Sequence, residues 1–172
     1  DNARVEKDQV VGELNNGWTV AKYLLTHERE MIGGSGLRSS GEEPLGSIAA
    51  RVLGLESGQL ANPMLRGDIA RLQIDSEALG LTMQRARDEV KAGASLGATS
   101  SVFKYIGTEL NMRRQELLMA IHGLAALDWS GPDSAEGRLP RAWLRSRGNS
   151  IEGGTSEIQL NIIAKHILGL PG

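Results

Sequence analysis

The sequence predicts an all-α domain, an antiparallel, up-down four-helix bundle. Three observations carry this reading. Aromatic residues make up only 3% of the 172-residue chain, fewer than a β-sandwich or barrel leans on. The apolar residues are mainly Leu, Ile and Ala, which suit helices. They recur at three- and four-residue spacing over four long segments, separated by breaks rich in Gly and Pro.

The elements follow in chain order. Val5 to Gly12 alternates weakly and reads as an extended arm, within a leading segment of residues 1–15 that precedes a domain of residues 16–172. The first helix is predicted from Gly17 to Ile32. Val20, Leu24 and Met31 share one face of it, and Ala21, Leu25, Glu28 and Ile32 share another. Gly33, Gly34, Ser35 and Gly36 are expected to stop it. Arg38 to Asn62 reads as polar loops around one short helix, Leu45 to Leu53. Such a long connection in a bundle suggests more than a connecting role.

Asn62 and Pro63 fit an N-cap followed by an N1 proline. Leu65, Ile69, Leu72, Leu79 and Met83 then carry the second long helix to Val90, and Ala92-Gly93-Ala94-Ser95 breaks it. The third is predicted from Ala98 to Leu127. Phe103, Leu110, Leu117 and Leu124 repeat every seven residues along it, flanked by Val102, Ile106, Met112 or Arg113, and Ile121. Arg113 and Arg114 with Glu109 and Glu116 read as a solvated face. Ser130 to Pro140 reads as a loop. The last helix is predicted from Ser156 to Leu168, with Ser156 and Gln159 at capping-box spacing and Gly169 and Pro171 ending it.

Composition narrows the function classes. The chain can bury one hydrophobic core, and 40% hydrophobic with 23% charged residues is ordinary for a globular protein. A net charge of -2 offers no nucleic-acid footprint. The absence of cysteine excludes disulfides, thiolate metal sites and a Cys nucleophile. His27, His122 and His166 lack metal-ligand spacing, so no metal site is expected. No apolar run approaches the ~20 residues of a membrane span. The chain opens on Asp1 without Met or a secretory signal, so a piece of a longer, cytoplasmic protein is expected.

Two features are chemically unusual. Glu28 falls on the apolar stripe of Ala21, Leu25 and Ile32. A desolvated carboxylate is suited to proton abstraction; a carboxylate at the stripe's edge is simply solvated or paired. Ile151-Glu152-Gly153-Gly154-Thr155-Ser156-Glu157 leads a Gly pair into a helix start. Free N–H groups beside a helix N-terminus can hold an anion or a polarised carbonyl; the same sequence also serves as a plain loop before a capped helix.

At these features the chain resembles a known family. Asn16-Gly17-Trp18, followed by a helix bearing Glu28-Arg29, is similar to the start of the C-terminal domain of acyl-CoA dehydrogenases. Gly153-Gly154-Thr155-Ser156-Glu157-Ile158-Gln159, continuing to Leu168-Gly169-Leu170-Pro171, resembles that family's closing signature. The resemblance implies a longer enzyme in which a β domain precedes this bundle. It also implies non-covalently bound FAD, an acyl-CoA substrate and an electron-transfer acceptor protein. A homo-oligomer (dimer or tetramer) or a heteromer is implied as well. The implied reaction is α,β-dehydrogenation of the thioester to trans-2-enoyl-CoA, with hydride passing to the flavin.

Many members place the catalytic glutamate where this chain has Gly153, which has no side chain to act as a base. A subset supplies it from the first long helix, before an arginine, and that position matches Glu28. The resemblance thus implies Glu28 as base, Arg29 in substrate binding, and Gly153 and Gly154 at the substrate carbonyl, the Gly153 N–H acting with a flavin hydroxyl. It implies flavin contacts at Thr155 and Glu157. Relatives' Arg-x-x-Phe-Gly and Gln-x-x-Gly-Gly stretches are replaced here by Ala50-Arg51-Val52-Leu53-Gly54 and Ala120-Ile121-His122-Gly123, with Arg51 as a substitute dinucleotide contact. Gly153 also keeps two alternatives in view, a non-catalytic partner subunit and a helical interaction module without chemistry. The excised piece alone is expected neither to hold FAD tightly nor to turn over.

Overall fold

The computed structural model describes residues 2–35 and 43–171, apart from the side chains of residues 26, 27 and 29–35. Among the described residues six α-helices form: α1 (Gly17–Ser35), α2 (Leu45–Leu53), α3 (Pro63–Lys91), α4 (Thr99–His122), α5 (Arg138–Arg147) and α6 (Ser156–His166). The described residues contain no strand. None of the helices is long and apolar enough to cross a membrane. The four predicted long helices are α1, α3, α4 and α6. In this bundle α4 is the common partner, packing against the other three and against α2 and α5.

Local chemistry sets the boundaries. Asn62 caps α3: its Oδ1 accepts from the N–H groups of Met64 and Leu65 at 3.0 and 3.1 Å. Pro63 takes the first turn, where a missing N–H costs nothing. The apolar spacing of α3 buries Leu65, Ile69, Leu72, Leu79 and Ala86. These join Leu45, Ile48 and Ala49 of α2 and Phe103, Leu110 and Ile121 of α4 in one core.

Several expectations need correction. The arm contains a 3-10 turn at Lys7–Gln9. α1 runs through Gly33 and Gly34 to Ser35, so the glycine pair does not stop it; Gly36 lies outside the described residues. The third long helix ends at His122, because Gly123 turns left-handed at φ +60° and a 3-10 segment continues to Leu127. Leu124 is therefore off the heptad seam and 86% exposed. The last helix closes at His166, two residues early.

The predicted loop of Ser130 to Pro140 holds a 3-10 turn, Pro132–Ser134, and the start of the unpredicted α5. Four arginines and Pro140 hide α5 from a hydrophobic-periodicity reading. Pro140 lies in the first turn, where proline is tolerated. Leu139, Pro140, Ala142, Trp143 and Ser146 face inward, and the arginines add contacts at the rim. Arg141 donates to the carbonyls of Glu136 at 2.8 Å and Trp129 at 3.2 Å, and its guanidinium lies 4.5 Å from the centroid of the Trp129 ring. Arg147 reaches Glu116 on α4 at 2.9 Å.

Nor do Arg113 and Arg114 form a purely solvated face with Glu109 and Glu116. Arg113 pairs with Asp75 of α3 at 2.7 Å, and Arg114 donates to the Glu43 carbonyl at 3.1 Å. Both arginines are half-buried and tie α4 to its neighbours.

Candidate active site

The turn that leads into α6 is built from two left-handed glycines, Gly153 at φ +66° and Gly154 at φ +97°. Only glycine adopts such a pair at little cost. The cap of α6 is Thr155, whose hydroxyl accepts from the Ile158 N–H at 3.4 Å; Ser156 is the first helical residue, not the cap. Gln159 also departs from its expected capping role. It is fully buried, and its Nε2 donates backwards to the carbonyls of Gly153 at 2.8 Å and Gly154 at 3.4 Å. With those carbonyls turned toward Gln159, the trans peptides direct the Gly154 and Thr155 N–H groups the other way. Among the described residues, no acceptor meets the N–H of Gly153, Gly154, Thr155 or Ser156. Several free donors at a helix N-terminus suit a polarised or anionic oxygen.

Behind the turn lies a polar network. Glu152 Oε2 accepts from Arg145 Nη2 at 2.7 Å, and its Oε1 accepts a short hydrogen bond from Asn149 Nδ2. Asn149 Oδ1 accepts in turn from Asn111 Nδ2 of α4 at 2.8 Å. Burial pushes the Glu152 carboxyl up, but the hydrogen bonds from Arg145 and Asn149 and the charges of Arg145 and Lys104 outweigh it, so Glu152 sits below the ordinary carboxylate range. Glu157 is exposed and is also lowered, first by its own backbone N–H and then by the Thr155 hydroxyl.

Lys104 of α4 is fully buried, and its Nζ has no hydrogen-bond partner among the described residues. Burial pulls its pKa down; the carboxylates of Glu152, Glu109 and Glu157 push it back up, Glu152 most strongly. The sequence reading passed over this lysine. A signal was present: Ser100, Ser101, Lys104, Gly107 and Thr108 follow helical spacing, and all are buried. One lysine on a stripe of small residues marks a tightly packed face with a single charge in it.

Glu28 lies on α1, which packs against α4. It is half-buried, on the same half-buried face as Val20, Ala21 and Leu25, whereas Lys22, Tyr23 and Leu24 between them are exposed. The apolar-stripe placement thus holds as far as Leu25 and Glu28; the side chain of Ile32 lies outside the described residues. Arg29 follows on the helix, and its side chain also lies outside them. Arg51, at the end of α2, is exposed and paired with Glu43 at 2.6 Å.

A family model described as "Acyl-CoA dehydrogenase, C-terminal domain" matches residues 15–168. The chain belongs to the acyl-CoA dehydrogenase family. Acyl-CoA dehydrogenase FadE34 of Mycobacterium tuberculosis is 33% identical over 172 residues, covering 99% of this chain and 22% of that protein. Acyl-CoA dehydrogenase IpdE1 of Mycolicibacterium smegmatis is 31% identical, covering 99% of this chain and 41% of that protein. Among solved structures, "Tcur3481-Tcur3483 steroid ACAD" matches with a TM-score of 0.78 and 28% identity, over 99% of this chain and 44% of that one. The ChsE4-ChsE5 complex from Mycobacterium tuberculosis matches with a TM-score of 0.65 and 29% identity, over 94% of this chain and 42% of that one. The chain therefore spans less than half the length of each. Within this acyl-CoA dehydrogenase domain, the closing turn, Thr155 and Glu157 sit together, and the Glu152 network backs them. Glu28 lies on α1, which packs against the same central helix, α4.

Proposed function

We propose that this domain belongs to an FAD-dependent enzyme that dehydrogenates an acyl-CoA thioester to the trans-2-enoyl-CoA, with Glu28 as the base. One observation carries the choice of base. Glu152 and Glu157, the two carboxylates beside the turn, are already engaged and held ionised, and Gly153 has no side chain. Glu28 stands on the half-buried face of α1, where a carboxylate is partly desolvated. In this reading the Gly153 N–H, with Gly154 beside it, polarises the thioester carbonyl and acidifies the α-carbon. Glu28 removes the α-proton as the β-hydrogen leaves with its electron pair, and Arg29 supports substrate binding.

The free N–H groups and the Thr155 hydroxyl at the start of α6 fit the polar edge of a flavin, with Glu157 alongside. Arg51 is exposed enough to reach a dinucleotide if it exchanges Glu43 for it. Bound FAD supplies the acceptor for the β-hydrogen and its electron pair. An electron-transfer protein then receives the electrons, and the enzyme works in the cytoplasm.

The two-component make-up named for the solved Tcur3481-Tcur3483 and ChsE4-ChsE5 relatives supports assembly with a second, different subunit. The steroid acyl-CoA dehydrogenase among them makes a steroid-bearing acyl-CoA a class to test beside straight-chain ones. Gly153, at the position where many members carry the base, favours one alternative: a non-catalytic partner subunit.

The test is anaerobic mixing of the full-length flavoprotein with straight-chain, branched and steroid-bearing acyl-CoAs while flavin absorbance is followed. Bleaching is expected in the wild type and should fall by about three or more powers of ten in Glu28→Gln, as for loss of an essential proton-transfer group. Equal bleaching in both would unseat Glu28. A wild type that holds no flavin would move the partner-subunit reading to the front.

A further inference from the structure

A carbonyl donor contributes to catalysis only when it is held where the charge develops. Resting on the reading of the Gly153 N–H as that donor, we propose that Glu152 is its positioning residue, with the buried Lys104 as counter-charge, together fastening the turn to α4.

The Gly153 N–H belongs to the peptide whose carbonyl is that of Glu152, so whatever fixes Glu152 fixes the donor. Three contacts do so from one side. The Glu152 N–H donates to the Gly148 carbonyl at 3.1 Å. One carboxylate oxygen is taken by Arg145 of α5 at 2.7 Å, the other by Asn149. Asn149 passes the connection to Asn111 of α4 at 2.8 Å. From the other side, Gln159 of α6 holds the Gly153 and Gly154 carbonyls. The donor peptide is thus clamped between α4 and α5 behind it and α6 ahead of it.

Lys104 completes the arrangement. It lies seven residues before Asn111, two turns along the same face of α4. It is fully buried, and Glu152 is the carboxylate that acts on it most strongly. Among the described residues no ion pair or hydrogen bond joins Nζ to Glu152, so Lys104 acts on that carboxylate as a counter-charge through the protein's field and not by contact, while the hydrogen bonds from Arg145 and Asn149 hold it in place. With both carboxylate oxygens already engaged, Glu152 is therefore not a second base.

The experiment uses full-length flavoprotein, the acyl-CoA that bleaches the wild type fastest, and the variants Glu152→Gln, Lys104→Met and the double variant. Three quantities are read: the limiting bleaching rate per bound flavin, the acyl-CoA concentration giving half that rate, and the melting temperature. In Glu152→Gln the limiting rate should fall about 100-fold, the cost of a small misplacement in a reacting geometry. The half-saturating concentration should change little. The double variant should recover much of the melting temperature lost by Glu152→Gln, because the buried cation is removed together with its counter-charge. Its rate should stay low.

A Glu152→Gln enzyme that bleaches at the wild-type rate overturns the proposal. So does a double variant whose rate recovers along with its stability, which would make the role one of folding alone. A wild-type flavoprotein that bleaches with no acyl-CoA removes the functional reading and this one with it. A Glu28→Gln enzyme that matches the wild type removes only the base assignment and leaves the Glu152 comparison intact.

Discussion

Gly154 has a φ of +97°, and a Cβ added there would stand 2.6 Å from Gln159 Nε2. That amide is already held by two carbonyls, so it has little room to give. Gly154→Ala should therefore destabilise the protein by about 1–2 kcal/mol through left-handed strain alone, with further loss from the displaced amide. Gly46, inside α2, offers the opposite case: a Cβ there meets nothing within 4 Å. Gly46→Ala should stabilise by about 0.5–1 kcal/mol. Thermal unfolding of the pair should show melting temperatures moving in opposite directions.

Lys104 also makes a prediction at this scale. Its pKa in the folded protein lies below the ordinary lysine value of 10.5, chiefly through burial. The unfolded chain then binds more protons than the folded one in the window just under 10.5, so stability from this group rises as pH climbs through that window. Glu152 works at the acid end. Its folded pKa lies below 4.5, so its stabilising contribution is present above that value and lost as pH falls through the depressed one. Denaturant midpoints measured across both windows, with Lys104→Met and Glu152→Gln each flattening its own limb, would check the signs. Unchanged limbs in both variants would mean that other groups dominate.

At the scale of elements, helices governed by apolar spacing and simple caps were legible. The start of α3 is written in Asn62-Pro63, and its core positions in Leu65, Ile69, Leu72 and Leu79. Asn62→Ala should cost about 1 kcal/mol, visible as a lower melting temperature, since two N–H groups lose their acceptor. α5 was missed because its inward stripe, Leu139, Ala142, Trp143 and Ser146, is short and lies among four arginines, so it shows no long apolar seam. The end of α4 was misplaced because Leu124 continues the heptad in sequence, whereas Gly123 breaks the backbone one residue earlier. Of the candidate residues, the Gly pair and Glu28 stand out by residue type and spacing, and Thr155 through the family resemblance alone. The functions of Gln159, Glu152 and Lys104 depend on which elements come together, and no local pattern carries that.

For the whole molecule, the instructive quantity is apolar surface left facing solvent. Trp18, Tyr23 and Leu24 on α1 are 71%, 70% and 65% exposed. At the far end of α4, Leu127 and Trp129 are 64% and 52% exposed. Clusters of this kind mark surfaces that other domains or subunits cover. The 172-residue piece taken alone should therefore self-associate. Sedimentation should show species heavier than the monomer as concentration rises, and Trp18→Ser with Leu24→Ser should reduce them. A sharp monomer at every concentration would mean these surfaces are content in water.

The left-handed backbone at Gly153 also limits what the position can carry. A glutamate placed at position 153 would first meet the strain of its own φ of +66°, about 1–2 kcal/mol. Its carboxylate would also enter beside Glu152, a negative neighbour already held ionised. Any gain in reactivity would arrive only after the turn had been reshaped, while the strain would arrive at once. A side chain at position 153 therefore comes only together with a change of backbone, whereas a residue on the regular helix α1 is exchanged without one.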